Sequence, residues 1–424
     1  MRHPEQRVTE SKDLGILMNM NLQKIKLGEV CRFINGRAYS QPELLDSGKY
    51  KVLRVGNIFE GNHWYYSDME LDDDKYCDEG DLLYSWACTF GPYIWHGPKT
   101  IYHYHIWKVE PNQSLVDKHF LYYFLNHQTK GFMGSTHGST MIHITKENME
   151  NFEVLLPSLS DQKKIASVLS ALDDKIALNK KMNQKLEAMA KRLYDYWFVQ
   201  YDFPDKNGYP YKTTGGPMTY NPTLKREIPV GWEVKQICDI TKIFNGSTPS
   251  TTEEENYGGE IVWITPKDLS DQNCKFVYQG ARNITQAGYD SCSTTMVPKG
   301  TVVMSSRAPI GLLSIAQCDL CTNQGFKNMV PNDMTDSKYL YYTIQQHIPQ
   351  IQNLGTGTTF KEVSKDELGR FAILYPPKKL IATFEEKVAP IFDVQFNKVK
   401  EISRLTALRD KLLPLLMNGQ VVVG

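Results

Sequence analysis

Between Ile165 and Trp197, apolar side chains recur in steps of four and three through Leu169, Leu172, Ile176, Leu186, Ala190 and Leu193, with Lys, Asp, Glu and Gln filling the other positions. That spacing predicts a long helix with one apolar seam. A second seam runs through Phe384, Val388, Ile391, Ile402, Leu405, Leu412 and Leu416 and stops at Asn418-Gly419, a helix-ending pair. Two narrow seams of this kind predict two helices that bury them against each other. Asn179 and Asn183 sit in the first seam, where a polar group lowers stability but fixes register by pairing with its counterpart. Pro390 and Pro414 predict kinks in the second helix, because each removes a backbone donor.

Elsewhere the pattern changes to short alternating runs, "YKVLRV" from Tyr50, "DLLYSW" from Asp81, "EIVWIT" from Glu260 and "GTVVMS" from Gly300, separated by Gly, Pro and Asn turns. These predict strands. The runs repeat: "FINGRAYS" from Phe33 resembles "IFNGSTPS" from Ile243, and "HFLYYFLNHQ" from His119 answers "KYLYYTIQQH" from Lys338. From Phe120 onward the two halves keep a constant offset. The predicted fold is α+β: two pseudo-repeated mixed globules, 22–157 and 232–376, each with one short helix near 117–127 or 336–347. Two long coiled-coil helices, 158–200 and 377–418, follow, one after each globule, and a Gly/Pro/Tyr-rich crossover linker, 201–231, leads into the second globule. Residues 1–21 carry no pattern, and Met18 or Met20 is an alternative start.

The first long helix ends in "LYDYWFVQYDFP", an aromatic hub that anchors a helix end. The repeat symmetry adds a second expectation, that Trp197 and Phe198 dock a partner. The chain has 424 residues, 41% of them hydrophobic, enough to bury more than one core. With 48 basic and 48 acidic residues, any nucleic-acid surface has to be local. Eight scattered cysteines, no signal-peptide core and no apolar run of membrane-spanning length predict a reduced, cytoplasmic chain without membrane attachment. There is no GxxxxGK[ST], no HExxH and no Asn-Pro-Pro-aromatic stretch, so catalytic residues are not expected. Cys318 and Cys321 form a lone CxxC without a second pair, His103 and His105 alternate on one strand, and "GTGTTF" from Gly355 lies between a helix and a strand. Each reads more simply as structure than as a metal or nucleotide site.

The stretches "LPSLSDQKKIASVLSALDDKIALNKKMNQKLEAMAKRLYDYWFVQYDFPD", "IPVGWEV" and "LRDKLLPLLMNGQV" resemble the specificity subunit of type I restriction-modification enzymes, over nearly the whole chain. The resemblance implies two target-recognition domains that each read one half of a split DNA sequence, separated by the two long antiparallel coiled-coil helices. It implies as partners double-stranded DNA, two methylation subunits that use S-adenosylmethionine, and restriction subunits that use ATP and magnesium. No cofactor is expected on this chain itself. The alternatives are a helical scaffold without sequence-specific DNA binding and a stand-alone nucleic-acid enzyme.

For such a domain the candidate DNA contacts are cationic, polar and aromatic loop residues, because phosphate contacts position and base-edge contacts specify. In the first globule these are Arg37, Arg54, Asn57, Trp86, Thr89, Tyr93, His96, Lys99 and His137. In the second they are Ser247, Thr248, Lys267, Ser306, Arg307, Asn323, Gln324, Lys327 and Lys361. Arg307 and the pair Asn323-Gln324, whose amides suit adenine, stand out. The central seam, at 1.5 Å per residue, spans roughly 50 Å, enough to space two half-sites by about one DNA turn.

Overall fold

The computed structural model describes residues 22–423 apart from 60, 62, 135–143, 273 and 356–360. The chain divides into two compact units, Met1–Asn179 with Glu401–Gly424, and Lys180–Lys400. The sequence pattern places the globules and the long helices in separate segments. In the structure each globule instead shares its core with half of each helix.

In the first unit, Ile165, Ala166 and Leu169 of the helix Leu159–Tyr194 and Leu416 of the helix Lys378–Met417 are buried in the same cluster as Leu27, Phe33, Tyr84 and Phe120. Arg409 Nη1 donates to Asp173 Oδ1 at 2.7 Å, and Lys175 lies 3.7 Å from Glu401. In the second unit, Ala190, Tyr194, Trp197 and Phe198 share a cluster with Ile381, Phe384, Val388 and Phe392. There Gln395 Nε2 donates to Asn183 O and to Glu187 Oε2, both at 3.2 Å. Within each unit, later residues of the first helix meet earlier residues of the second, so the pair is antiparallel.

The second helix continues unbroken through Pro390 and Pro414. Buried Phe384, Val388, Phe392 and Leu416 hold the turns on either side, so packing offsets each missing hydrogen bond. The first helix ends in a wide π-helical turn, Asp195–Val199, where Gln200 N donates to Asp195 O at 2.8 Å. Tyr201 follows in a left-handed conformation, φ +67°, and turns the chain toward the linker.

The first globule has a four-stranded antiparallel sheet in the order Cys31–Asn35, Ile106–Pro111, Leu82–Ser85, Gly91–Ile94, and a second sheet in which Tyr50–Leu53 runs parallel to Thr100–Tyr102. The second globule repeats the plan with Thr241–Asn245, Phe326–Pro331, Val302–Ser305 and Leu313–Ala316, adds Phe276–Val277 at the edge, and keeps a parallel pair, Trp263–Ile264 with Cys321–Thr322. Each globule is closed by an antiparallel pair, Gln23–Lys26 with Glu153–Leu156 and Glu233–Gln236 with Ala372–Tyr375.

The helical equivalents keep a shift of 219 residues, as in Lys118–Gly134 against Ser337–Leu354 and Lys146–Asn151 against Lys365–Gly369. Even the caps coincide: Thr145 and Ser364 accept the N–H of Asn148 and Glu367. Both longer helices run past the predicted ends, through Gly131 and Pro349, because buried Phe132 and Ile351 tie their last turns to the cores. Among the described residues, no helix is long and apolar enough to cross a membrane.

Candidate DNA interface

In both globules one end of the antiparallel sheet is built by the same backbone bonds. Ser306 N donates to Gly325 O and Ser247 N to Thr322 O in the second globule, as Trp86 N donates to His105 O and Arg37 N to Tyr102 O in the first. The Asn-Gly pair in the sequence repeat has its reason here. A Cβ on Gly36 would lie 2.4 Å from the Tyr102 carbonyl oxygen, and one on Gly246 2.1 Å from that of Thr322, so only glycine admits this approach.

This frame gathers most of the second globule's candidates. The turn after Val302–Ser305 is closed by Ser305, whose Oγ donates to Pro309 O at 2.6 Å and accepts Leu312 N at 2.8 Å, so Arg307 leaves a well-held loop. Arg307 bridges to Glu362, its Nε donating to Oε2 at 2.9 Å, and Lys327 Nζ donates to Oε1 at 3.2 Å. Burial pushes the Glu362 carboxyl up, but the hydrogen bonds from Arg307 and Lys327 outweigh it and hold the group below the usual carboxylate range. Thr248 Oγ1 donates to Gln324 Oε1, and Asn323 Oδ1 accepts Gly325 N at 2.9 Å. Lys361 is exposed beside Glu362, and exposed Lys267 lies on the helix Pro266–Gln272 next to the strand residue Ile264, whose carbonyl accepts Asn323 N.

Two of these placements correct the sequence reading. Lys327 is 5% exposed and paired, so it supports the surface rather than presenting a cation to DNA. Ser306 is fully buried, with its Oγ unpartnered among the described residues. Nothing local in the sequence marks Glu362, which lies 55 positions from Arg307 and 35 from Lys327 and carries the same sign of charge as DNA.

The first globule fills the same place with rings. Trp86 stacks on Trp107 with centroids 5.7 Å apart, its Nε1 donating to Tyr104 O at 2.9 Å, and the Tyr104 ring lies tilted against those of His103 and His105. Burial first, then His105 and Arg54, lower the His103 imidazole to about 4, so it is neutral at pH 7. Exposed Arg54 lies over the Tyr65 ring. Arg37 is committed to Glu43, 2.6 Å away, whose carboxyl its hydrogen bond helps hold down to about 2.

Asn57 is a capping residue rather than a base reader: its Oδ1 accepts Arg54 N at 3.1 Å and its Nδ2 donates to His63 O at 2.8 Å, as Asp268 accepts Thr265 N in the second globule. His96 and Lys99 lie beyond Ile94, which pairs with Leu82, at the opposite end of the strand from Trp86. There His96 meets Glu79 at 2.9 Å and Lys99 lies over the Tyr76 ring, so neither joins the cluster. Tyr93 is half-buried against the Leu53 and Tyr102 cluster, Thr89 is exposed on the loop after Trp86, and His137 lies outside the described residues.

The aromatic hub is internal. Trp197 and Phe198 are 4% and 6% exposed, with Phe198 packed 5.0 Å from Tyr339 and 5.1 Å from Phe384, so neither offers a docking surface. Asn179 is fully buried with neither amide atom hydrogen-bonded among the described residues, and the Asn183 side-chain oxygen is likewise unpartnered while its backbone carbonyl accepts from Gln395, so the expected pairing of these amides is not seen among the described residues. Cys318 and Cys321 donate to separate carbonyls, those of Tyr278 and Val262. No group of three or more His, Cys, Asp or Glu among the described residues forms a metal-holding set.

The type I restriction modification DNA specificity domain matches the chain twice, over residues 19–188 and 229–402. The specificity subunit of the type I restriction enzyme HindI of Haemophilus influenzae is 24% identical, covering 94% of this chain and 99% of that protein. The MjaIX specificity subunit of Methanocaldococcus jannaschii is 40% identical over 41% of each chain. The crystal structure of the type I restriction-modification S subunit from M. genitalium superposes with a TM-score of 0.61 at 15% identity over 94% of this chain and 96% of that one, which shows a common fold. With both repeats matched and the same backbone bonds made at each sheet end, this chain belongs to the type I restriction-modification DNA specificity family and is the DNA sequence-recognition subunit of such a system.

Proposed function

We propose that each unit reads one half of a bipartite DNA target through the sheet end described above, and that the chain contributes no reacting group. The observation that carries this reading is one backbone frame bearing unlike side chains: Trp107 stands opposite Asn35 and Tyr84, and Lys327 stands opposite Asn245 and Met304. Because register and glycine geometry are constant, these two buried residues carry different outer groups, the exposed Tyr104 beside Trp86 in the first unit and the half-exposed Arg307 in the second, and it is such outer groups that can meet the base edges that distinguish one sequence from another.

The reacting groups then belong to partners. Two methylation subunits supply S-adenosylmethionine chemistry and restriction subunits supply ATP- and magnesium-dependent cleavage, while this chain holds them on DNA in the cytoplasm. Replacing residues 22–157, which end at the closing strand pair, with those of another family member tests the reading. Mapping adenine methylation genome-wide should then show a change in one half of the recognised sequence only. A change in both halves would refute separate reading.

A further inference from the structure

We infer that Arg307 reads a guanine in the half-site of the second unit, and that Glu362 is the positioning residue that aims it; this rests on the function proposed above. A guanidinium has five N–H groups in a planar fork, and a guanine presents N7 and O6 side by side in the major groove. Only Nε of Arg307 is engaged among the described residues, by Glu362 Oε2 at 2.9 Å. The terminal nitrogens Nη1 and Nη2 are left for a second, bidentate partner, and the side chain is 49% exposed.

The aim of that fork is held from several directions. Glu362 is pinned on its other oxygen by buried Lys327 and through its backbone bridge to Arg307, while Val363 N donates to Ser306 O at 3.0 Å. Arg307 itself springs from a loop closed by the Ser305 hydroxyl. A phosphate-binding arginine needs no such hold, because a phosphate accepts from many directions. A base-reading arginine does, because two acceptors must be met in one plane. The carboxylate also lowers the attraction of this spot for a bare phosphate, favouring a ligand with neutral acceptors.

The test is selection of bound sites from a library of randomised duplexes, using the assembled complex with its methylation subunits. The wild type should enrich a bipartite motif containing a G·C pair in one half. Arg307→Lys, which keeps the charge and loses the fork, should reduce discrimination at that one pair by about tenfold or more while the rest of the motif persists. The double variant Lys327→Met with Glu362→Gln removes both inner charges without stranding either. It should broaden the preference at the same pair, with a thermal melt confirming that the unit stays folded.

If Arg307→Lys weakens binding equally for all sequences, or leaves every position of an intact motif unchanged, the inference fails and the proposed function stands. If the double variant stays folded and leaves the preference intact, Glu362 does not aim Arg307. If the wild type enriches no bipartite motif, the proposed function itself fails.

Discussion

At one register position the first unit carries Trp107 and the second Lys327, and around them the two units diverge into a stack of rings and a charged triad. Their backbones nevertheless make the same bonds there. A sheet end can change its chemistry this far because its geometry is held by strand register and by two glycines, none of which depends on the side chains that differ. The stack still contributes to stability, since Trp107 is 2% exposed against Tyr84 and Phe33. The triad stays partly hydrated and contributes less to stability.

The largest expected contrast follows. Trp107→Ala should destabilise the first unit by about 3–5 kcal/mol, a cavity-forming loss readable as a lower midpoint in denaturant. A loss under about 1 kcal/mol would show that the stack is a surface feature. Next, Gly36→Ala and Gly246→Ala should cost similar amounts, about 1–3 kcal/mol each or somewhat more, because both push a methyl into a carbonyl oxygen. Unequal costs on thermal melting would break the equivalence of the two frames.

A smaller effect is expected in the triad. In a double-mutant cycle of Lys327→Met and Glu362→Gln, Glu362→Gln alone should be worse than the pair, with a coupling of about 1–2 kcal/mol, because it leaves the buried Lys327 charge without its carboxylate, whereas Lys327→Met leaves Glu362 paired with Arg307. Additive losses would mean that the ion pair is solvated and idle.

The smallest contrast is a pH effect at His103, whose place in the second unit is taken by Asn323, each donating its N–H to the equivalent strand carbonyl, of Leu53 and Ile264. The folded imidazole titrates near 4, below the ordinary 6.5, so between these values the unfolded chain binds more protons and stability falls as pH drops. His103→Asn should flatten the decline in melting temperature from pH 6.5 to 4 relative to wild type. An unchanged slope would place His103 in solvent.

Much of this architecture is legible along the chain. The seams through Leu169 and Phe384 mark the long helices, and the offset of 219 residues pairs Thr145 with Ser364 as caps, because helical period and capping are local properties. The aromatic hub shows where the apparent surface misleads. Trp197 and Phe198 look available at a helix end, but Phe384 and Tyr339, far along the chain, cover them. The candidate site divides in the same way. Arg307, Asn323 and Gln324 stand out by residue type and loop position, whereas the burial of Lys327, the capping role of Asn57 and the withdrawal of His96 and Lys99 to the other strand end do not.

The sequence by itself determined the repeat, the helices, the strand grammar and the glycines that let two backbones touch, because each is written within a few neighbouring residues. Only the tertiary structure decided which charges face outward. Whether Arg307 is a free cation or a fork held by Glu362, and whether Lys327 meets water or a carboxylate, depends on strands that meet across 35 to 55 residues of chain. Charge interactions act through space, and their strength is set by the burial that folding creates.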